Sequence, residues 1–169
     1  MKIKKALQFG GYDWKILDIK DGKALVISEN TVSTRGYHTS SDDITWEHCE
    51  MREYLNGEFL DSIFSAAEKA RIAETVIVNS DNGSATGGNT TTDKVFLLSI
   101  DEANQYFGDD TARVAYTANG VAAGWWLRSP GRSSSYASLV DYTGGIDVQG
   151  GGVAISHGSV RPALWLTIE

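Results

Sequence analysis

The sequence is poor in the residues that staple a fold or hold a metal. One cysteine, Cys49, in 169 residues excludes an internal disulfide framework and any multi-cysteine zinc site. The three histidines, His38, His48 and His157, are scattered, and adjacent His48 and Cys49 cannot face one metal from a helix. No apolar run approaches the roughly 20 residues of a membrane-spanning helix, so no membrane insertion is expected. The amino terminus, MKIKKALQFGGYDW, opens with positive charge, but its apolar run from Ala6 to Phe9 is broken by Gln8. That is too short for the apolar region of a signal peptide, so the expectation is a mature start in a cytoplasmically made chain. Basic excess is missing as well. Fifteen Lys and Arg against 22 Asp and Glu leave a formal charge of −7, which argues against a nucleic-acid partner. Neither G-x-x-x-x-G-K-[ST] nor a G-x-G-x-x-G between a strand and a helix occurs, so no phosphate cofactor loop is expected.

What is present is an ordinary globular balance of 41% hydrophobic and 22% charged residues, enough for one core and one domain over residues 1–169. Residues 3 to 29 read as strands, with Trp14–Lys20 and Lys23–Glu29 joined by the hairpin dipeptide Asp21-Gly22. The segment ITWEHCEMREYLN reads as a helix with Ile44, Met51 and Leu55 on one face and Trp46 and Cys49 elsewhere. Leu60, Ile63 and Phe64 fit a helical stripe. Capping boxes at Ser65–Glu68 and Ser99–Glu102 open two further helices, to Arg71 and to about Phe107. IAETVIV and KVFLL read as strands, and Asn79–Asp93 as a long, mobile surface loop. After Gly108 no helix is expected. Nine of the 18 glycines fall from Gly120 onward and punctuate short strand-like pieces, so the fold class is α+β, with strands and helices followed by glycine-rich short antiparallel strands and loops.

Catalytic constellations are absent from the pattern. Cys49 sits beside Trp46 in apolar company, the setting of an inert thiol, and Ser133, Ser134 and Ser135 lack a nucleophile-elbow context. Asp141 and Asp147 flank a turn and could share a calcium ion with backbone carbonyls, but they lack the dense spacing of a calcium loop, so no metal site is assigned. Arg128 and Arg161 lie in apolar contexts where an unpaired guanidinium is costly, which predicts anchoring by carboxylates or backbone carbonyls.

The carboxy-terminal pattern W-W-L-R-S-P-G, a polar run, A-x-x-V, a Gly turn and V-R-P-A-L-W-L resembles a family of uncharacterised domains common in gut Firmicutes and their phages. Trp46, Cys49, Arg52, Leu55 and Asn56, and the turn Phe64, Ser65, Glu68 and Lys69, extend the resemblance over most of the chain. That family is similar in fold to formylglycine-generating enzymes and to the C-type lectin-like variable proteins of diversity-generating retroelements. The resemblance implies a rigid scaffold displaying a variable region over residues 125–160. The scaffold positions would be Trp125, Trp126, Leu127, Arg128, Ala137, Val140, Gly144, Val153, Arg161, Pro162, Ala163 and Leu164. The displayed, ligand-binding positions would be Ser133, Ser134, Ser135, Tyr136, Ser138, Asp141, Tyr142, Asp147 and Gln149. The cysteine pair of formylglycine-generating enzymes and the calcium motifs Glu-Pro-Asn and Trp-Asn-Asp of sugar-binding lectins are missing.

Three functions therefore stand as expectations: a non-catalytic module binding a protein or glycan, a diverged enzyme on the same fold, and a structural accessory domain of a phage particle or surface assembly. The resemblance favours the first; the Ser, Tyr and Gly composition is that of an adaptable binding surface but equally that of a turn-rich rim.

Overall fold

The computed structural model describes residues 6–168, so the strand expected from residue 3 lies partly outside the described residues. The chain is a mixed α+β domain in which most elements are strands and the helices are short. Strands β1 (Ala6–Phe9), β2 (Tyr12–Lys20) and β3 (Lys23–Ser28) form consecutive antiparallel hairpins. The β2–β3 turn is the expected two-residue turn. Asp21 (φ 52°) and Gly22 (φ 74°) are both left-handed, as a primed turn requires. β4 (Ser33–Thr34) follows.

The helical stretch is less regular than its pattern predicts. Trp46–His48 is a 3₁₀ turn, and Cys49 is extended (φ −76°, ψ 153°), capping α1 (Glu50–Tyr54) by accepting a bond at Sγ from the Arg52 N–H. The break turns Trp46, Cys49 and Met51 all inward, whereas one continuous helix would have separated them. A π-helical turn, Leu55–Phe59, leads into α2 (Leu60–Ile63). Asn56 accounts for the irregularity. Its amide donates to the carbonyls of Arg52 and Val95 and accepts from the N–H groups of Lys94 and Val95, drawing the helix onto a neighbouring segment. Both capping boxes form as expected, opening α3 (Ala66–Arg71) and, later, α4 (Ile100–Tyr106).

Between those helices the expectations change. IAETVIV contracts to β5 (Thr75–Ile77), and β5 pairs with β6 (Thr91–Asp93), inside the segment expected to be a loop. Asp93 anchors β6. Its buried carboxylate accepts from Trp46 Nε1 at 2.9 Å, Thr91 Oγ1 at 2.8 Å and Arg52 Nε at 2.6 Å. The expected strand KVFLL is wholly buried from Val95 to Leu98 but forms no strand, pairing only through the single bridge of Phe96 with Ala163. Asn56 takes the Val95 N–H and carbonyl, the Arg128 side chain the Leu97 carbonyl and the Arg128 N–H the Leu98 carbonyl.

A short helix, α5 (Asp110–Arg113), appears where none was expected; four residues carry no readable period, and only the Asp109 cap, accepting from the Ala112 N–H, marks it. β7 (Ala115–Tyr116), β8 (Ala122–Ala123), β9 (Trp125–Pro130), β10 (Tyr136–Val140), β11 (Ile146–Gly152), β12 (Ser159–Val160) and β13 (Ala163–Thr167) complete the chain.

Two main sheets result: β1-β2-β3-β13, and β11-β10-β9-β12-β4. The last strand thus returns to the first sheet, pairing Leu164 with Val26. One continuous apolar core joins them, built on Trp14, Trp46, Trp125, Trp126, Phe96 and the aliphatic residues of β3 and β13. Arg161 sits at the crossing from the second sheet to the first and is 1% exposed. It donates to the carbonyls of Ser28 (2.7 Å), Glu29 (3.1 Å) and Arg113 (3.2 Å), with its guanidinium carbon 4.9 Å from the centre of the Trp125 ring. The expectation for Arg161 therefore holds through carbonyls alone.

Truncating it removes the guanidinium donor from the Ser28 and Glu29 carbonyls, leaves the Arg113 carbonyl to Trp125 Nε1, and opens a void against the Trp125 ring. Arg161→Ala should lower the unfolding free energy by about 3 kcal/mol or more in urea melts, against under about 0.5 kcal/mol for the exposed Arg132→Ala. Equal shifts for the two variants would contradict the keystone role of Arg161.

Candidate functional site

The segment from Trp125 to Val160 forms every strand of the second sheet except β4, and its inner layer is fixed hard. Trp125, Trp126, Leu127, Arg128, Ala137, Val140, Val153, Arg161, Pro162, Ala163 and Leu164 are all buried, and so is Gly144. Gly144 is a packing requirement: at φ 88°, an added Cβ would lie 1.8 Å from the Asp110 carbonyl oxygen. Arg128 donates to Asn79 Oδ1 and to the carbonyls of Leu97 and Val78, and it pairs with Glu102. Carboxylate and carbonyls both contribute, as expected. Arg113, which the sequence reading passed over, is a third buried arginine. It donates to the Gly144 carbonyl at 2.7 Å and pairs with Asp110.

The outer layer is also held in place. Gly131 N–H bonds the Tyr136 carbonyl, Tyr136 N–H the Ser133 carbonyl and Val153 N–H the Ser135 carbonyl. Asn82 reaches from the supposed mobile loop to the carbonyls of Pro130, Gly131 and Val148. That loop is pinned further by the mutual backbone bonds of Asn82 and Ala85, so its polarity reflects side chains serving as backbone partners.

Of the nine residues expected on display, Tyr142 and Gln149 are exposed, and Ser133, Ser134, Ser135, Tyr136, Asp141 and Asp147 are half-buried. Ser138 is a correction. It is fully buried and its hydroxyl donates to the Ser129 carbonyl at 2.9 Å. The cause is a register shift between Ala137 and Leu139 against both neighbouring strands, which breaks the in-out alternation that display of Ser138 assumed. The two aspartates are engaged by their own turns. Asp141 Oδ1 accepts from the Thr143 hydroxyl and from the N–H groups of Thr143 and Gly145, and these bonds, the hydroxyl first, hold its carboxyl below the usual carboxylate range. Asp147 Oδ1 accepts from Gln149 N–H and Gly150 N–H, both at 3.0 Å, stabilising the bulge at Gly150 (φ 73°). Among the described residues no three His, Cys, Asp or Glu converge as metal ligands would.

A small pocket of ≈170 Å³ opens on this sheet, lined by Trp126, Leu139, Gly151, Ile155, His157 and Gly158 among others. Gly158 lies flat on the indole, where an added Cβ would fall 2.1 Å from Trp126 Nε1. A Cβ added on Gly151 would lie 3.3 Å from Ile155 Cδ1, a tight contact that the end of that side chain would have to relieve by a small shift. The sequence reading did not select these residues. The available signal was the run Gly150-Gly151-Gly152 within a strand, where side-chain-free backbone marks a bulge or a close approach. A larger concavity of ≈550 Å³ lies by Glu47, His48, Arg52, Glu53 and Asn56, but it is wide open; Arg52 is paired with Asp93, and His48 Nε2 lies 2.9 Å from Glu47.

Cys49 borders that concavity yet is buried; its thiol lies 3.3 Å from the Trp46 carbonyl, and burial pushes its pKa up to about 12. A thiol so raised stays protonated through neutral pH and lacks nucleophilic thiolate.

The geometry defines a mixed α+β domain carrying a firmly braced, polar and aromatic carboxy-terminal sheet. Residues 21–168 match the family described as "Domain of unknown function (DUF6273)", and the chain belongs to it. No curated protein and no solved structure matches the chain.

Two measurements test this description. Alkylation of native Cys49 should be negligible at pH 8, rise only towards about pH 12 and become rapid in denaturant; fast native labelling at pH 8 would contradict the burial. Ser138→Ala should cost about 1 kcal/mol in a denaturant melt by orphaning the Ser129 carbonyl, where a displayed serine would cost nothing measurable.

Proposed function

We propose that this chain is a non-catalytic ligand-binding module of the variable-protein type found with diversity-generating retroelements, built on a C-type lectin-like scaffold. The supporting observation is the pocket bounded by Leu139, Gly151, Ile155 and His157, in the same segment as the exposed Tyr142 and Gln149. All of these residues fall inside the 125–160 segment that the family resemblance marks for display. A concavity of this size takes one ring or one side chain, and an exposed Tyr and Gln in the same segment can supply contact area and adaptable hydrogen bonds.

Separation of roles supports the same reading. The buried tryptophans and arginines carry the stability of the segment, so outward positions can change at little cost to the fold. Binding of a protein or glycan then rests on residues whose replacement the frame tolerates.

Tyr142→Ala should weaken binding to a hit from a glycan and bacterial surface-protein panel by tenfold or more, with a melting shift under about 2 °C. Gly151→Val, which fills the pocket, should do the same. A panel without hits, or hits indifferent to both substitutions, would sink the proposal.

A further inference from the structure

Arg132 is the only lysine or arginine between Arg128 and Arg161, on a chain of formal charge −7. It is exposed, and no carboxylate among the described residues lies within ion-pair distance of it. Its guanidinium carbon lies 4.1 Å from the centre of the Tyr136 ring, and one Nη donates to the Tyr136 hydroxyl. Its backbone is equally constrained. The Arg132 N–H bonds the Gln149 carbonyl at 2.9 Å, and an added Cβ on Gly131 would lie 2.4 Å from that same oxygen. A long, normally floppy cation is thus stacked and aimed in advance of any ligand. An unpaired arginine costs nothing to expose in water, but fixing one without a partner ordinarily gains little. Its arrangement is that of a preorganised anion receptor.

We infer that Arg132, with Tyr136 and Gln149 beside it, binds the single carboxylate of an acidic sugar. Four of the five guanidinium N–H donors remain free after the bond to Tyr136, and a planar fork matches a carboxylate in bidentate geometry. One cation, without a second arginine or lysine nearby in the segment, suits one negative charge better than a phosphorylated group, which calls for an arginine cluster. Its neighbours along the chain are hydroxyl-bearing, Ser133 and Ser135 with Oγ atoms 3.2 Å apart, and the residue that its backbone N–H bonds is the exposed Gln149. These are partners for sugar hydroxyls. An acidic peptide added as a strand would need free backbone groups on β11, and the Val148 and Gln149 carbonyls of that strand already accept from Asn82 and Arg132.

This inference rests on the binding-module reading, and its test separates the two. The full chain is immobilised and titrated at low salt with trigalacturonic acid, with its methyl ester and with acetylated hexaglutamate. Expected are binding of the acid, at least tenfold weaker binding of the ester, and a tenfold to hundredfold loss of acid binding in Arg132→Ala with unchanged melting temperature. Arg132→Lys should fall between, since an ammonium keeps the charge and loses the fork. Acid binding that survives Arg132→Ala, or equal binding of acid and ester, overturns the carboxylate assignment while the Tyr142 and Gly151 variants still decide the binding face. Preference for hexaglutamate overturns the sugar class, and absence of binding to all three probes overturns the assignment outright.

Discussion

The structure hangs on a buried cation. Arg161 stands where the chain leaves the second sheet for the first, and its guanidinium holds three backbone carbonyls from two distant stretches, the end of β3 and the end of α5. Burial pushes its pKa down to about 10, which still leaves it charged at neutral pH. Such a group is tolerated in the interior only because every direction it faces offers an oxygen or an aromatic ring. The constraint runs both ways: the arginine needs those carbonyls, and the strands that offer them cannot drift apart without stranding it.

The same logic recurs through the molecule. Arg128 gathers the 78–79 strand end, the buried 97–98 segment and α4, while Arg113 gathers α4 and the Gly144 turn. Asn56, Asn82 and Asp93 do comparable work with neutral or acidic side chains. Short strands and four-residue helices leave many backbone groups unpaired by regular structure, and polar side chains complete them. This explains how a domain with so little long secondary structure has a core in which Val95, Leu97, Leu98 and Leu127 have no exposed surface.

Bracing of that kind separates the two layers of the carboxy-terminal sheet. Inner residues carry the energy, and outer ones are held at the backbone by turns that Asp141 and Asp147 stabilise. A surface so arranged is ordered before it meets a partner, which reduces the entropy lost on binding. Tyr136 illustrates the division, since its backbone closes the 131–136 loop while its ring carries Arg132.

Much of this was readable from residue types alone. The Asp21-Gly22 turn, both capping boxes, the anchored state of Arg128 and Arg161 and the burial of Cys49 follow from local chemistry, because each depends on a few neighbouring residues and on the cost of an unpaired polar group. What stayed illegible depended on distant partners. Nothing near Asn82 in sequence says that it bonds the carbonyls of Pro130, Gly131 and Val148, and nothing near Val95–Leu98 says that an apolar run will be held by Asn56 and Arg128 instead of by a strand. Ser138 went inward because a bulge, set by Gly150 across the sheet, reversed the alternation that a lone strand would keep. The pocket of Leu139, Gly151, Ile155 and His157 likewise exists only once three separated segments meet. Residue type decided which groups must be buried, capped or paired; the tertiary structure chose the partners, because a hydrogen bond between residues far apart in the chain leaves no periodic trace in either of them.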